Sequence, residues 1–220
     1  APKLKNFSVN NNQLTGDLKN LDFPELEKLH VEYNSLNGTI RTEFDFPKLE
    51  VFYMQFNGLK GPMPHTSLPA VTHFRLFFNE LTGPFPDGDM SKLVELRMWN
   101  NHFDSLPDLA SGASDLWELA CYNNKLEFGD LIPNKDIERF IYAGQDYVDM
   151  FAEHIGDSIQ LNVHVNGAGN TYAWYKGWDK VGEGSDTFNI FKTESPADYH
   201  CEINNPLLPD LTLISKLAVD

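Results

Sequence analysis

The sequence predicts an α/β-type solenoid of short parallel strands with a mostly irregular convex side over residues 1–147, followed by an all-β domain over 148–220. Three observations predict it. An apolar frame returns around an asparagine at near-constant spacing through the first two thirds of the chain. The frame stops after Tyr147. Beyond it, alternating apolar stretches separated by turn residues surround Trp174 and Cys201.

The asparagines are Asn12, Asn34, Asn57, Asn79, Asn101 and Asn124, with Gln145 in the same role, at steps of 22, 23, 22, 22, 23 and 21 residues. Leu26, Leu29, Val31 and Leu36 frame Asn34, and Leu93, Leu96, Met98 and Phe103 frame Asn101. The last frame is degraded to Ile137, Phe140, Tyr142 and Tyr147 around Gln145. One unit of ~22 residues cannot bury its own apolar side, so it stacks on its neighbours. Alternation places one short strand in each unit. A buried carboxamide can donate and accept at once, so the asparagines form a ladder that satisfies the turn after each strand.

This pattern, LxxLxLxxNxL over about seven consecutive units, resembles the leucine-rich repeat. Four units continue as Leu-x-Gly at Gly16, Gly38, Gly61 and Gly83, two of them running into Pro62 and Pro84. That flavour is similar to plant-type repeats. Pro2, Pro24, Pro47 and Pro69 each stand two residues before the first apolar position of a unit, so Ala1-Pro2-Lys3-Leu4 reads as the middle of a repeat. Solenoids need polar caps. The reading therefore expects further repeats upstream and a truncated N-terminus.

After Tyr147, Gly156 to Val163 alternates, Ala173-Trp174-Tyr175-Lys176 places a tryptophan in a strand, and Ala197-Asp198-Tyr199-His200-Cys201 sets a tyrosine two residues before a cysteine. Leu211, Leu213, Leu217 and Val219 suit a final strand. The segment resembles an immunoglobulin-like domain. It departs in two places: Val163 stands where the partner cysteine would be, so no inter-sheet disulfide forms, and Ser195-Pro196-Ala197 replaces the usual turn before the tyrosine. At ~70 residues it is near the lower limit for autonomous folding. It is expected to lean on Ile137, Phe140, Tyr142 and Tyr147 as cap and spacer. The run Cys201 to Leu213, joined to repeats, resembles surface proteins of gliding-type bacteria, which implies secretion to the cell surface.

Composition narrows the function. A net charge of −15 lacks the cationic footprint of nucleic-acid binding and disfavours anionic membranes. No stretch is apolar for the ~18 residues of a membrane helix. Cys121 and Cys201 read as buried free thiols. The histidines show no metal-ligand spacing, and no catalytic or cofactor motif is present, so the reading is no enzyme, no metal and no cofactor. Asp87-Gly88-Asp89 and Gly167-Ala168-Gly169 read as turns, and Asn6-Phe7-Ser8 and Asn37-Gly38-Thr39 are glycosylation sequons.

The ligand-binding candidates are the strand residues that alternation turns away from the core, onto the concave side. Four before each asparagine stand His30, Tyr53, Arg75 and Arg97. Two before it stand Glu32, Gln55, Phe77, Trp99 and Tyr122, and one before it Tyr33, Phe56 and Phe78. These columns are expected to be wet, and aromatic and arginine side chains are the types enriched at binding hot spots. Other readings stand beside this one. Tyr33, Phe56 and Phe78 suit a trim over the core edge, Phe77, Trp99 and Tyr122 a cross-strand ladder, and Arg75 and Arg97 exposed pairs with Glu95 and Glu118. The sequence thus points to a non-catalytic surface recognition or adhesion module that binds a protein or peptide on His30, Tyr33, Tyr53, Phe56, Arg75, Phe77, Phe78, Arg97, Trp99 and Tyr122. A glycan-binding module on the same rings and a structural spacer are the alternatives.

Overall fold

The computed structural model describes residues 3–18, 21, 23–40, 46–64, 67–191 and 198–217. The expectations for Ala1-Pro2, Ser195-Pro196-Ala197 and Val219 lie outside the described residues. Seven three-residue strands form one parallel sheet in chain order: Asn6–Ser8, Lys28–His30, Val51–Tyr53, His73–Arg75, Glu95–Arg97, Glu118–Ala120 and Arg139–Ile141. The register is uniform, so Leu29, Phe52, Phe74, Leu96 and Leu119 align across the sheet. All five are fully buried, since every second residue of a strand faces the core. Leu26, Leu49, Val71 and Leu93 close the core behind them, each at 0% exposure.

The convex side corrects the expectation of irregular chain. The four Leu-x-Gly segments and the Phe103 segment after them form a second parallel sheet of five strands: Thr15–Leu18, Ser35–Ile40, Lys60–Pro62, Glu80–Pro84 and His102–Ser105. Gly83, at φ 75°, takes the left-handed turn that lets this strand bend toward the core. The α/β label also needs correction, because helix is scarce. Among the described residues it is confined to Leu109–Gly112, Phe128–Leu131 and a 3-10 turn at Ile132–Asn134, in the repeats that have lost the Gly-Pro flavour. Asp108 caps the first helix by accepting from Ser111 N at 3.0 Å. Buried Asn134 ties the two together, accepting from Leu109 N at 2.9 Å and donating to Pro107 O at 3.0 Å.

Seven further strands follow. In hydrogen-bonded order they are Asp179–Glu183, Thr171–Lys176, Tyr199–Asn204, Thr212–Leu217, Val148–Ile155, Ser158–Val163 and Thr187–Phe191. Thr212–Leu217 is shared: its first half runs antiparallel to Tyr199–Asn204 and its second half parallel to Val148–Met150. Trp174 lies opposite Cys201 in the register, and both are buried with Val163. The Trp174 indole donates to Ser185 O at 2.8 Å, which satisfies its one polar atom. Both thiols are free and buried, and burial pushes them up, Cys201 to about 12.

These strands meet the last repeat tightly. Gly129 N donates to Asn166 O at 2.9 Å, and Asn166 N donates to Glu127 Oε2 at 2.7 Å. Burial pushes the Glu127 carboxyl above the ordinary glutamate range. Ile137 is buried, with Phe140 and Tyr142 packed against the core, but Tyr147 is 64% exposed and corrects the expectation that it sits in the junction. A Cβ on Gly129 would stand 2.9 Å from Asn166 Cβ. Gly129→Ala is therefore expected to destabilise by about 1–3 kcal/mol through overpacking. Urea unfolding measures it, and faster hydrogen exchange at the Asn166 amide would locate the loss at this junction.

Candidate ligand-binding face

The turn after each concave strand repeats one backbone device. The residue before the ladder position is left-handed in every repeat: φ is 56° at Asn11, 54° at Tyr33 and Phe56, 53° at Phe78 and Asn100, 51° at Asn123, and 81° at Gly144. Asparagine and glycine take this conformation readily, whereas an aromatic residue does so at a cost of about 1–3 kcal/mol. Three consecutive repeats nevertheless carry aromatics there. Tyr33 stacks on Phe56 with ring centres 4.6 Å apart, and Phe56 on Phe78 at 4.7 Å. Tyr33 is 48% and Phe78 39% exposed, so the row is not a trim sealed over the core.

A second row runs beside it. Phe77, Trp99 and Tyr122 stack at 4.4 Å and 5.1 Å with rings within 10° of parallel. Phe56 meets Phe77 edge-on at 5.4 Å, and Phe78 meets Trp99 edge-on at 4.7 Å. The six rings therefore make one continuous surface. The expectation that these columns are wet fails for several members: Phe77, Gln55, Glu32 and Ala120 are buried. Adjacent parallel strands lie ~4.8 Å apart, so rings stacked across them cover one another's faces. Trp99 and Tyr122 are half-buried, and Phe77 serves as the floor on which they rest.

The remaining candidates sit on the far side of the sheet. His30 meets Tyr53 edge-on at 4.8 Å, and the Arg75 guanidinium lies 4.5 Å over the Tyr53 ring. Arg75 Nε reaches Glu95 Oε1 at 2.5 Å. Arg97 bridges two carboxylates, Glu95 Oε2 at 3.1 Å and Glu118 Oε1 at 2.9 Å, and Arg139 Nη1 completes the row on Glu118 Oε2 at 3.1 Å. Glu95 and Glu118 are buried, which corrects the picture of exposed pairs. The arginine charges are answered within the chain. Sequence reasoning passed over Glu95, Glu118 and Arg139 as site residues. They stand six before the ladder position, one alternation step beyond the columns read, and that step was the available signal.

Beside the left-handed row lies an open groove of about 700 Å³ lined by Phe56, Phe78, Asn100, His102, Asn123 and Asp146, among others. Here the row continues as amides: Asn123 Nδ2 donates to Asn100 Oδ1 at 2.5 Å. Among the described residues no three His, Cys, Asp or Glu side chains cluster to hold a metal, and no helix is long and apolar enough to cross a membrane.

No family model and no curated protein sequence matches the chain. Solved structures do. The Arabidopsis receptor kinase HAESA LRR ectodomain, in complex with an N-terminally extended IDA peptide hormone, superposes with a TM-score of 0.57 at 19% identity over 65% of this chain. The chain folds like a leucine-rich-repeat solenoid. The PEPR1–AtPEP1 structure superposes at a TM-score of 0.56 with 22% identity over 67% of the chain. The plant peptide hormone receptor RGFR1 in complex with RGF2 gives 0.52 with 18% identity, again over 67%. The chain spans 27%, 22% and 29% of these three structures.

Proposed function

We propose that this chain is a non-catalytic recognition module, acting outside the cell or on its surface, that binds a peptide or protein segment along the concave face of its leucine-rich-repeat-like solenoid. On this reading residues 1–147 form the recognition solenoid. Residues 148–220 form an immunoglobulin-like cap, supported by buried Trp174 and Cys201 on paired strands. The observation that carries the proposal is the stacked row Tyr33, Phe56 and Phe78, exposed at Tyr33 and Phe78 and half-buried at Phe56. Large rings hold left-handed positions where the same chain uses Asn11, Asn100, Asn123 and Gly144 elsewhere. Ring stacking offsets part of the strain, about 0.5–1.5 kcal/mol per pair, but does not need the rings exposed, whereas clustered exposed aromatics are what binding surfaces need. The two neighbours described with peptide hormones lend the fold-level analogy, which by itself assigns no ligand.

The chain supplies its own control residue. Tyr33→Asn, Phe56→Asn and Phe78→Asn together place at these sites the residue that Asn100 and Asn123 already carry at the same φ. The triple variant should keep or raise the thermal midpoint, because asparagine tolerates the left-handed conformation. Peptides selected from a displayed random library against the parent should bind the variant about 100-fold or more weakly, the loss of one or two hot spots. Equal binding to both proteins would remove the site. A glycan array run in parallel tests the second reading, which the groove lined by the Asn100 and Asn123 amides and the Asp146 carboxylate favours. Glycan binding without peptide binding would transfer the surface to it.

A further inference from the structure

On the second and third repeats, Glu32 and Gln55 occupy the concave column that Phe77, Trp99 and Tyr122 continue. They are 7% and 5% exposed, yet Glu32 Oε2 and Gln55 Oε1 have no hydrogen-bond partner among the described residues. Buried polar atoms are nearly always paired, so two unmet acceptors on neighbouring strands mark a place where a donor is missing. His30 Nδ1 is 3.5 Å from the other oxygen, Oε1. In the chain His30 and Tyr33 bracket Glu32, and Tyr53 and Phe56 bracket Gln55; His30 meets Tyr53 at 4.8 Å and Tyr33 stacks on Phe56 at 4.6 Å.

We propose that Glu32 and Gln55 form a subsite for an arginine side chain of the peptide partner, an assignment that rests on the peptide-recognition reading above. A carboxylate and a carbonyl oxygen both accept, so the missing group is a donor. The carboxylate selects a cation, and the ring pairs select a cation that spreads its charge over a flat surface. A guanidinium presents its donors in a fixed planar fork and stacks on aromatic faces, whereas an ammonium is a compact, strongly hydrated point charge. The chain itself already meets buried concave carboxylates this way. Arg75 and Arg97 hold Glu95, and Arg97 and Arg139 hold Glu118. Glu32 stands in a different column, two before its asparagine, and there the ligand's arginine supplies the donor that Arg75, Arg97 and Arg139 supply to Glu95 and Glu118. Access requires only that a flanking ring turn aside, and Tyr33 is half-exposed. A chain of net charge −15 also draws basic segments toward it.

The test uses peptides selected from a displayed random library against the whole chain, with each conserved basic position resynthesised as arginine, lysine or citrulline, the last an uncharged shape mimic. Selected peptides should share an arginine, and citrulline there should weaken binding about thirtyfold or more, the scale of truncating one partner of a desolvated charge pair. Glu32→Gln should weaken the arginine peptide by a similar factor and leave the citrulline peptide unchanged, without lowering the thermal midpoint. Peptides that need Tyr33, Phe56 and Phe78 but bind Glu32→Gln as well as the parent would overturn this subsite and leave peptide recognition standing. Equal affinity for the lysine peptide would overturn the guanidinium assignment. A library that enriches nothing on the parent over the triple asparagine variant would overturn both.

Discussion

Asn101→Ala is expected to lower the stability of the solenoid by about 3–5 kcal/mol, because one side chain satisfies three buried backbone groups. Its Nδ2 donates to Leu76 O at 3.0 Å and Met98 O at 3.1 Å, and its Oδ1 accepts from Leu81 N at 3.1 Å. Asn101 is 3% exposed, so water does not replace these bonds. Each orphaned buried group costs about 1–3 kcal/mol, and no neighbouring side chain is placed to take over. Asn101→Asp discriminates the cause. It keeps the acceptor and the volume but loses both donated bonds and sets a charge against two carbonyls, so it should be at least as damaging as alanine. Urea unfolding of the three proteins measures the difference. A loss below about 1 kcal/mol for Asn101→Ala, the scale of an ordinary solvent-exposed hydrogen bond, would refute the ladder as a structural element. Gln145 marks its limit. With one more methylene it donates to Cys121 O at 3.1 Å and Tyr142 O at 2.7 Å, but its acceptor serves both Asn124 N and Leu126 N at 3.2 Å. The shorter step before Gln145 goes with that shared geometry.

Much of this was legible because repetition makes one local rule testable seven times. The spacing of Asn34, Asn57, Asn79 and Asn101 placed every concave strand, since a period of ~22 residues with an alternating core is compatible with few other folds. The convex strands were less legible. Leu-x-Gly followed by proline reads as turn chemistry, and only the stacking of Gly61 on Leu81 in register with Lys60 on Glu80 reveals a sheet. The site was legible in composition but not in its energetics. Tyr33, Phe56 and Phe78 could be placed beside the ladder, but aromatics disfavour a left-handed φ, so the turn was signalled only by Asn11, Asn100, Asn123 and Gly144 at the equivalent positions. The burial of Phe77, Glu95 and Glu118 depends on neighbouring strands covering them, which a column of letters does not encode. Glu32 shows the same gap: its position was known, and its missing partner became visible only once every neighbour was in place.

Arg97→Met should destabilise by about 3 kcal/mol, the low end of what breaking a buried ion pair costs. Arg97 stands between Glu95 and Glu118, which are direct register partners on adjacent strands. Both carboxylates are buried, and each keeps one other guanidinium, Arg75 or Arg139. Methionine preserves most of the volume, so the loss isolates charge from packing. What is lost is the cation between two like charges facing each other at strand spacing, an arrangement that destabilises a sheet even at an exposed surface. Glu118→Gln in the Arg97→Met background should therefore recover part of the loss, although Glu118→Gln alone is destabilising, because it removes one of the two facing like charges. The double-mutant cycle reads this directly, with an expected coupling of about 1.5 kcal/mol or more. A coupling near zero would return the pairs to the class of exposed ion pairs that contribute about 0–1 kcal/mol. The result bears on recognition as well as stability. If the ladder is coupled, Arg75 and Arg97 are structural supports of the aromatic face. Binding variants at these two positions should then lose affinity in proportion to lost stability, while those at Tyr33, Phe56 and Phe78 lose it without.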